Sequence, residues 1–165
     1  MEIIEKIVSL VEKSKNNPDC SYNVSATINP PASEEKIEKL EKLIGHSLPK
    51  DLKNIYKKCS GFQIEFSHKK FGFGSPKIKI TSLEDNLKMY ENRKDYSAFL
   101  ADLKENQSFL ILYQEQPELS YGYLVDENSN GTDIHTYNLE EYKNEGDTAS
   151  SILNNILDRV AYYSN

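Results

Sequence analysis

Helical and extended hydrophobic periods alternate along this chain, and their order predicts its architecture. Ile3, Ile4, Ile7, Val8 and Val11 recur at helical spacing, so residues 2–15 read as an amphipathic helix. Lys13 and Lys15 suit the negative end of its dipole, and Pro18 stops it. A connector of about 15 residues follows and ends at Pro30-Pro31, which favours extended backbone. Ser33 then reads as an N-cap, with Glu34 and Glu35 in the first turn. Ile37, Leu40 and Ile44 line one face, Gly45 is the C-cap, and Glu35–Lys39 and Glu38–Lys42 are i, i+4 pairs. Leu48-Pro49 opens a third helix with proline at its first position; Leu52, Ile55, Tyr56 and Cys59 form its buried stripe, and Ser60-Gly61 ends it.

The period then changes to two. Phe62, Ile64 and Phe66 alternate with polar residues, as a half-buried strand requires. Extended segments carry Phe71, Phe73, Ile78 and Ile80, with a bulge or bend expected at the Gly72/Gly74 pair. Ser82 opens a short helix with Leu83, Leu87 and Tyr90. Tyr96, Phe99, Leu100 and Leu103 predict another helical turn or two. The apolar run 108–113 reads as the central strand. Residues 120–126 and 132–137 flank Asn128-Ser129-Asn130-Gly131 and predict a hairpin. Asp147 or Thr148 caps a closing helix carrying Ile152, Leu153, Ile156, Leu157 and Val160. The expected fold is α+β: a mostly antiparallel sheet with helices packed on one face, led by N-terminal helices and closed by a C-terminal one, in a single domain over 1–165.

Composition narrows the function classes. The chain has 165 residues, 38% hydrophobic and 28% charged, which excludes a collagen-like or disordered chain. No run approaches the length of a membrane span, and charge interrupts the N-terminus too early for a secretory leader, so a cytoplasmic location is expected. The two cysteines, Cys20 and Cys59, are too few and too far apart for a disulfide scaffold or a thiolate metal site. His46, His68 and His135 lie in unrelated segments without metal-ligand spacing, and His46 reads as exposed in a turn. No nucleophile elbow or phosphate loop is present, and the carboxylate pairs are sequence neighbours whose side chains diverge. No catalytic residue, metal or cofactor is therefore assigned.

Charge is distributed unevenly. Residues 1–94 hold 17 Lys/Arg against 13 Asp/Glu, a net +4. Residues 95–165 hold three cations (Lys104, Lys143 and Arg159) against 13 Asp/Glu, a net −10. An acidic half is unsuited to nucleic acid and suited to a basic partner. Tyrosines fall in the same region and supply contact area at low entropic cost. Asp126, Glu127, Asp133, Glu140, Glu141, Tyr121 and Tyr123 are accordingly the candidate partner-binding face.

The segment Ser33-Glu34-Glu35-Lys36-Ile37-Glu38-Lys39-Leu40-Glu41, then Gly45, Leu48-Pro49 and Gly61, resembles the SUKH superfamily, which includes fungal regulators of cell-wall assembly and bacterial immunity proteins. Ile37, Leu40, Glu41, Gly45, Leu48, Pro49 and Gly61 carry the motif, with Ser60 where the family usually has Asn. The likeness extends more loosely to about residue 160. As a scaffold the motif is intelligible: two glycines terminate helices, Pro49 sets an entry angle, and the Glu41 carboxylate is expected to accept backbone N–H groups of a nearby loop. The resemblance implies a non-catalytic protein-binding domain. Bacterial members look like antidotes that dock onto a toxin, often a basic nuclease. The alternatives are a cytosolic scaffold or regulatory module and, third, a small enzyme.

Overall fold

The computed structural model describes residues 2–71, 77–96, 100–116, 119–128, 133–138 and 141–164. In chain order these form α1 (Glu2–Lys15), β1 (Tyr22–Ile28), α2 (Glu34–Ile44), α3 (Lys50–Lys58), β2 (Phe62–His68), β3 (Lys77–Ile80), α4 (Leu83–Glu91), β4 (Ser108–Gln116), β5 (Leu119–Val125), β6 (Ile134–Tyr137), β7 (Tyr142–Asp147) and α5 (Ala149–Ser164). The strands make one seven-stranded sheet in the order β1 to β7, and every adjacent pair is antiparallel. The fold is α+β, as the periodicities predict.

The helix boundaries follow local chemistry. The Ser33 hydroxyl accepts from the Lys36 N–H, and the Ser82 hydroxyl accepts from Asp85. Gly45 closes α2 in the left-handed region at φ 75°. Pro49 is the N-cap of α3, one position earlier than the sequence reading placed it. Thr148 caps α5: its hydroxyl accepts from the Ser151 N–H while the Ser151 hydroxyl accepts from the Thr148 N–H. Helices α1 and α5 pack together and against β1, and α2 packs on α4.

β4 is the central strand. All of 108–113 is buried, so its two faces are both covered. Phe62, Ile64, Phe66, Ile78 and Ile80 supply the core face of β2 and β3. β3 is short and pairs with β4 only at Lys79 and Ile80, leaving the Ile111 and Phe109 backbone without a strand on that side. Helix α4 fills the gap with side chains. The Asn86 carboxamide donates to Ile111 O (2.8 Å) and accepts from Ile111 N (3.0 Å). One turn later the Tyr90 hydroxyl does the same for the Phe109 backbone, at 2.9 and 2.7 Å.

Several elements differ from the sequence reading. The connector between α1 and α2 contains β1, an edge strand paired with β2 along its full length. Tyr22, Val24, Ala26 and Ile28 do alternate there, but only Val24 is buried, so the signal is weak. β7 is the other edge, and its Tyr-Lys-Asn-Glu-Gly-Asp sequence has no apolar alternation at all. Leu100 is helical and the chain turns directly after it; residues 97–99, where the rest of the expected helical turn falls, lie outside the described residues. The expected Gly72/Gly74 bend and the tip of the 128–131 turn also lie outside them. Lys39 does not pair with Glu35; it reaches Glu91 of α4 at 2.6 Å. His46 is half-buried, with Nε2 2.8 Å from Asn106 O.

Candidate docking surface

The frame beneath the candidate surface is built by the residues of the α2–α3 motif. Glu41 lies half-buried on α2, and its Oε1 accepts from the Leu48 backbone N–H at 2.9 Å and from Lys53 Nζ at 3.2 Å. The carboxylate thus ties the inter-helix turn to both helices. Ile37, Leu40, Leu48 and Pro49 are buried around it. Ser60 extends the tie to the start of α4: its hydroxyl donates to Glu84 Oε2 at 2.7 Å and accepts from the Leu83 N–H at 3.2 Å. Burial would raise the Glu84 pKa, but the hydrogen bonds from Lys36 and Ser60 outweigh it and hold the carboxyl below its ordinary value. Gly61 adopts φ 83°, and a Cβ there would stand 2.6 Å from Ile80 O.

On that frame the sheet lays out charge. Because the strand order follows the chain order, the sequence halves become spatial halves, with β1–β3 on the lysine-rich side and β4–β7 on the acidic side. On the first side the acids are matched by lysines: Lys36–Glu84, Lys57–Glu34, Lys77–Glu65 and Lys79–Asp85 are ion pairs of 2.6–3.0 Å. Residues 95–165, the stretch from which the second side is built, hold three cations against 13 acids.

The candidate partner-binding residues fall into two groups rather than one patch. Tyr123 pairs with Ile134 across β5–β6, which places Asp126, Glu127 and Asp133 together at one end of that hairpin. Tyr137 pairs with Tyr142 across β6–β7, which places Glu141 at the opposite end, beyond the length of β6, roughly 10–13 Å. Glu127, Asp133 and Glu141 are exposed. Asp126 already has structural work: Oδ1 accepts from the Asn128 N–H at 2.8 Å and Oδ2 from Gln107 at 3.0 Å. Glu140 lies outside the described residues.

Tyr123 cannot belong to a surface. It is fully buried opposite Leu110, and its hydroxyl finds no hydrogen-bond partner among the described residues. Tyr121 shares its parity on β5 yet is half-buried, beside α5. There it lines a recess of about 260 Å³ with Tyr113, Asp147, Ile152, Ile156 and Arg159. Arg159 donates to the Tyr113 hydroxyl at 2.7 Å. Asp147 and Arg159 were missed by the sequence reading. The available signal was that Arg159 is one of only three cations in the acidic half.

A sequence profile of the SMI1 / KNR4 family (SUKH-1) matches residues 31–154, from the entry to α2 through the start of α5. The chain belongs to that family. The matched span contains Glu41, Gly45, Leu48, Pro49, Ser60 and Gly61, so the SUKH-1 motif coincides with the turn lock, the helix stop at Gly45 and the close approach at Gly61 described above. No curated protein matches the chain. SUKH-1 membership is compatible with a toxin-immunity or regulatory binding domain and suggests interaction with other proteins. Among the described residues no helix is long and apolar enough to cross a membrane, and no group of three or more His, Cys, Asp or Glu could hold a metal ion.

Proposed function

We propose that this SUKH-1 chain is an immunity-type protein that acts in the cytoplasm, without catalysis, by docking onto a basic toxin domain of the nuclease class and blocking it. The observation that carries the reading is the uneven charge of the chain, in which residues 95–165, the stretch that supplies β4–β7 and α5, hold thirteen acids and three cations. A nuclease must hold phosphates and so presents a basic surface; a pole of opposite sign captures it quickly and in a set orientation. Glu127 and Asp133 lead the contact at the tip of the β5–β6 hairpin, Glu141 extends it at the far end, and Tyr121 supports it from the recess beside α5.

The test is co-expression with the toxin gene adjacent to this one, purification of the complex, and measurement of association kinetics over a salt series. The expected outcome is a complex whose association rate falls with salt, and which Glu127→Lys combined with Asp133→Lys weakens at least about tenfold. Unchanged affinity in that double variant would remove the acidic pole from the mechanism.

A further inference from the structure

A cleft opens where three helices begin. Helices α1 and α5 run parallel: the Ser14 and Ser164 hydroxyls meet at 3.1 Å near their C-terminal ends, while Ile3, Ile4 and Leu153 line one cavity near their N-terminal ends. The first turns of α3 close the third side with Asp51, Asn54 and Ile55. The cavity measures about 160 Å³, on the scale of one long side chain. Its walls are mainly aliphatic. Ile4, Ile55 and Leu153 are buried, and Ile3 is half-buried.

One edge of the cleft is polar. Asp51 and Asn54 stand three positions apart on α3, so they share a face of that helix. Both are exposed, and neither side chain has a hydrogen bond or ion pair among the described residues. The acids in the first turn of α1 differ. Glu2 is matched by Lys6 at 2.9 Å and Glu5 by Lys58 at 3.7 Å, so of these three carboxylates only Asp51 is open. A first-turn acid also offsets the α3 dipole, since Pro49 supplies no side-chain cap. That role needs charge near the helix end; it does not need an aliphatic trough beside the carboxylate.

The cleft stands at the acidic end of the β5–β6 hairpin. Asp147, the last residue of β7, pairs with Ile134, and the chain passes from there through Thr148 into α5. Ile134 follows Asp133, and the Asp51 charge acts on the hydroxyl of its ladder partner Tyr123.

We propose that this cleft takes an arginine side chain of the basic partner, with its stem along Ile3, Ile4, Ile55 and Leu153 and its guanidinium on the Asp51 carboxylate and the Asn54 carbonyl oxygen. Arginine combines an aliphatic stem with a planar fork of donors that meets a carboxylate through two parallel bonds. It is also enriched as a pocket-filling anchor at interfaces, where lysine is depleted. The inference rests on the basic-partner reading and adds to it the contact that fixes the docked orientation, beside the steering charges Glu127 and Asp133.

One test needs no partner. Nα-acetyl-arginine methylamide is titrated into the full chain carrying labelled isoleucine and leucine methyls, with the citrulline analogue, which keeps the stem and loses the charge, as control. The Ile4, Ile55 and Leu153 methyl signals should shift saturably with the arginine probe and bind the citrulline probe at least about fivefold more weakly. Asp51→Asn should abolish that difference and leave the rest of the spectrum unchanged, which shows the variant folded. The second test measures affinity in the co-expressed complex, which Asp51→Arg should weaken at least about tenfold. No saturable shift at the cleft, an equal response to both probes, or an Asp51→Asn variant that still separates them would overturn the inference. A complex weakened by Glu127→Lys with Asp133→Lys but untouched by Asp51→Arg would overturn it too, and would spare the basic-partner reading. Absence of any complex would remove that reading, and the methyl titration would still decide the cleft.

Discussion

The carboxamide of Asn86 stands in for a missing β-strand residue beside Ile111, donating to its carbonyl and accepting from its N–H. The same Asn86 amide also donates to the buried Tyr56 hydroxyl at 2.7 Å, so one side chain joins α4, β4 and α3. Asn86→Ala removes all three bonds and strands two backbone groups in a dry core. The expected loss is about 2–4 kcal/mol, read as a lower urea midpoint at unchanged slope. Asn86→Asp should restore little of it, because a carboxylate cannot donate to Ile111 O.

Two motif glycines should respond differently to alanine. Both have positive φ, 75° at Gly45 and 83° at Gly61, but a Cβ at Gly45 meets nothing within 4 Å. Gly45→Ala therefore bears only the left-handed backbone penalty, about 1–2 kcal/mol. At Gly61 the new carbon would also press on Ile80 O at 2.6 Å and on the Ser82 backbone at 2.8 Å. The structure must shift at the β2–β3 junction, and Gly61→Ala should cost at least about 1 kcal/mol more than Gly45→Ala in thermal unfolding. Equal costs would mean that backbone conformation alone fixes this glycine.

Glu41 separates hydrogen bonding from charge. Glu41→Gln keeps an acceptor for the Leu48 N–H but loses the ion pair with Lys53, and should cost under about 1 kcal/mol. Glu41→Ala leaves the N–H unsatisfied, for about 1–3 kcal/mol. Amide exchange at Leu48 is the direct readout: it should stay slow in the glutamine variant and accelerate in the alanine variant.

The depressed Glu84 and Asp85 carboxyls set an acid limit. For Asp85, burial acts upward but is outweighed by the hydrogen bond and charge of Lys79. A lowered folded pKa means that the unfolded chain binds more protons in this window, so stability rises with pH there. The contribution is complete above the ordinary carboxylate range, about pH 4–5, and is lost as pH falls through the folded values. The urea midpoint should be level from neutral pH down to that range and then fall. Glu84→Gln should lower the neutral plateau and flatten the acid slope.

How much of this was readable in advance depended on whether a residue's partner was local. The α2 cap at Ser33, the stripe at Ile37, Leu40 and Ile44 and the stop at Gly45 follow from contacts within four residues, and they appear in the sequence as written. The Glu41 lock was legible because a carboxylate on an apolar face demands donors. Edge strands β1 and β7 were not legible, because a strand with one solvated face and one open edge needs few apolar residues. Asn86 and Tyr90 gave no warning either: their partners are 25 and 19 positions away, and only the shortness of β3 creates the vacancy they fill. The acidic half was visible by counting. Its division between the two ends of β6 was a matter of hairpin register.

Tyr123 turns the correction of the docking surface into a measurement. Its ring packs in the centre of the core, while its buried hydroxyl has no hydrogen-bond partner among the described residues. Burial pushes its pKa up, with the Asp51 charge acting in the same direction, so ionisation offers no relief. An unpaired buried hydroxyl forfeits its water bonds for nothing, and Tyr123→Phe removes that cost at nearly constant volume. The expected effect is stabilisation of about 1 kcal/mol, or an increase of a few degrees in Tm. Because the ring never reaches the surface, affinity for a docked protein partner should not change. Tyr121→Ala should behave oppositely, with little loss of stability and weaker association, since its ring forms a wall of the α5 recess. A Tyr123→Phe variant that folded normally but lost partner affinity would return this residue to the docking surface.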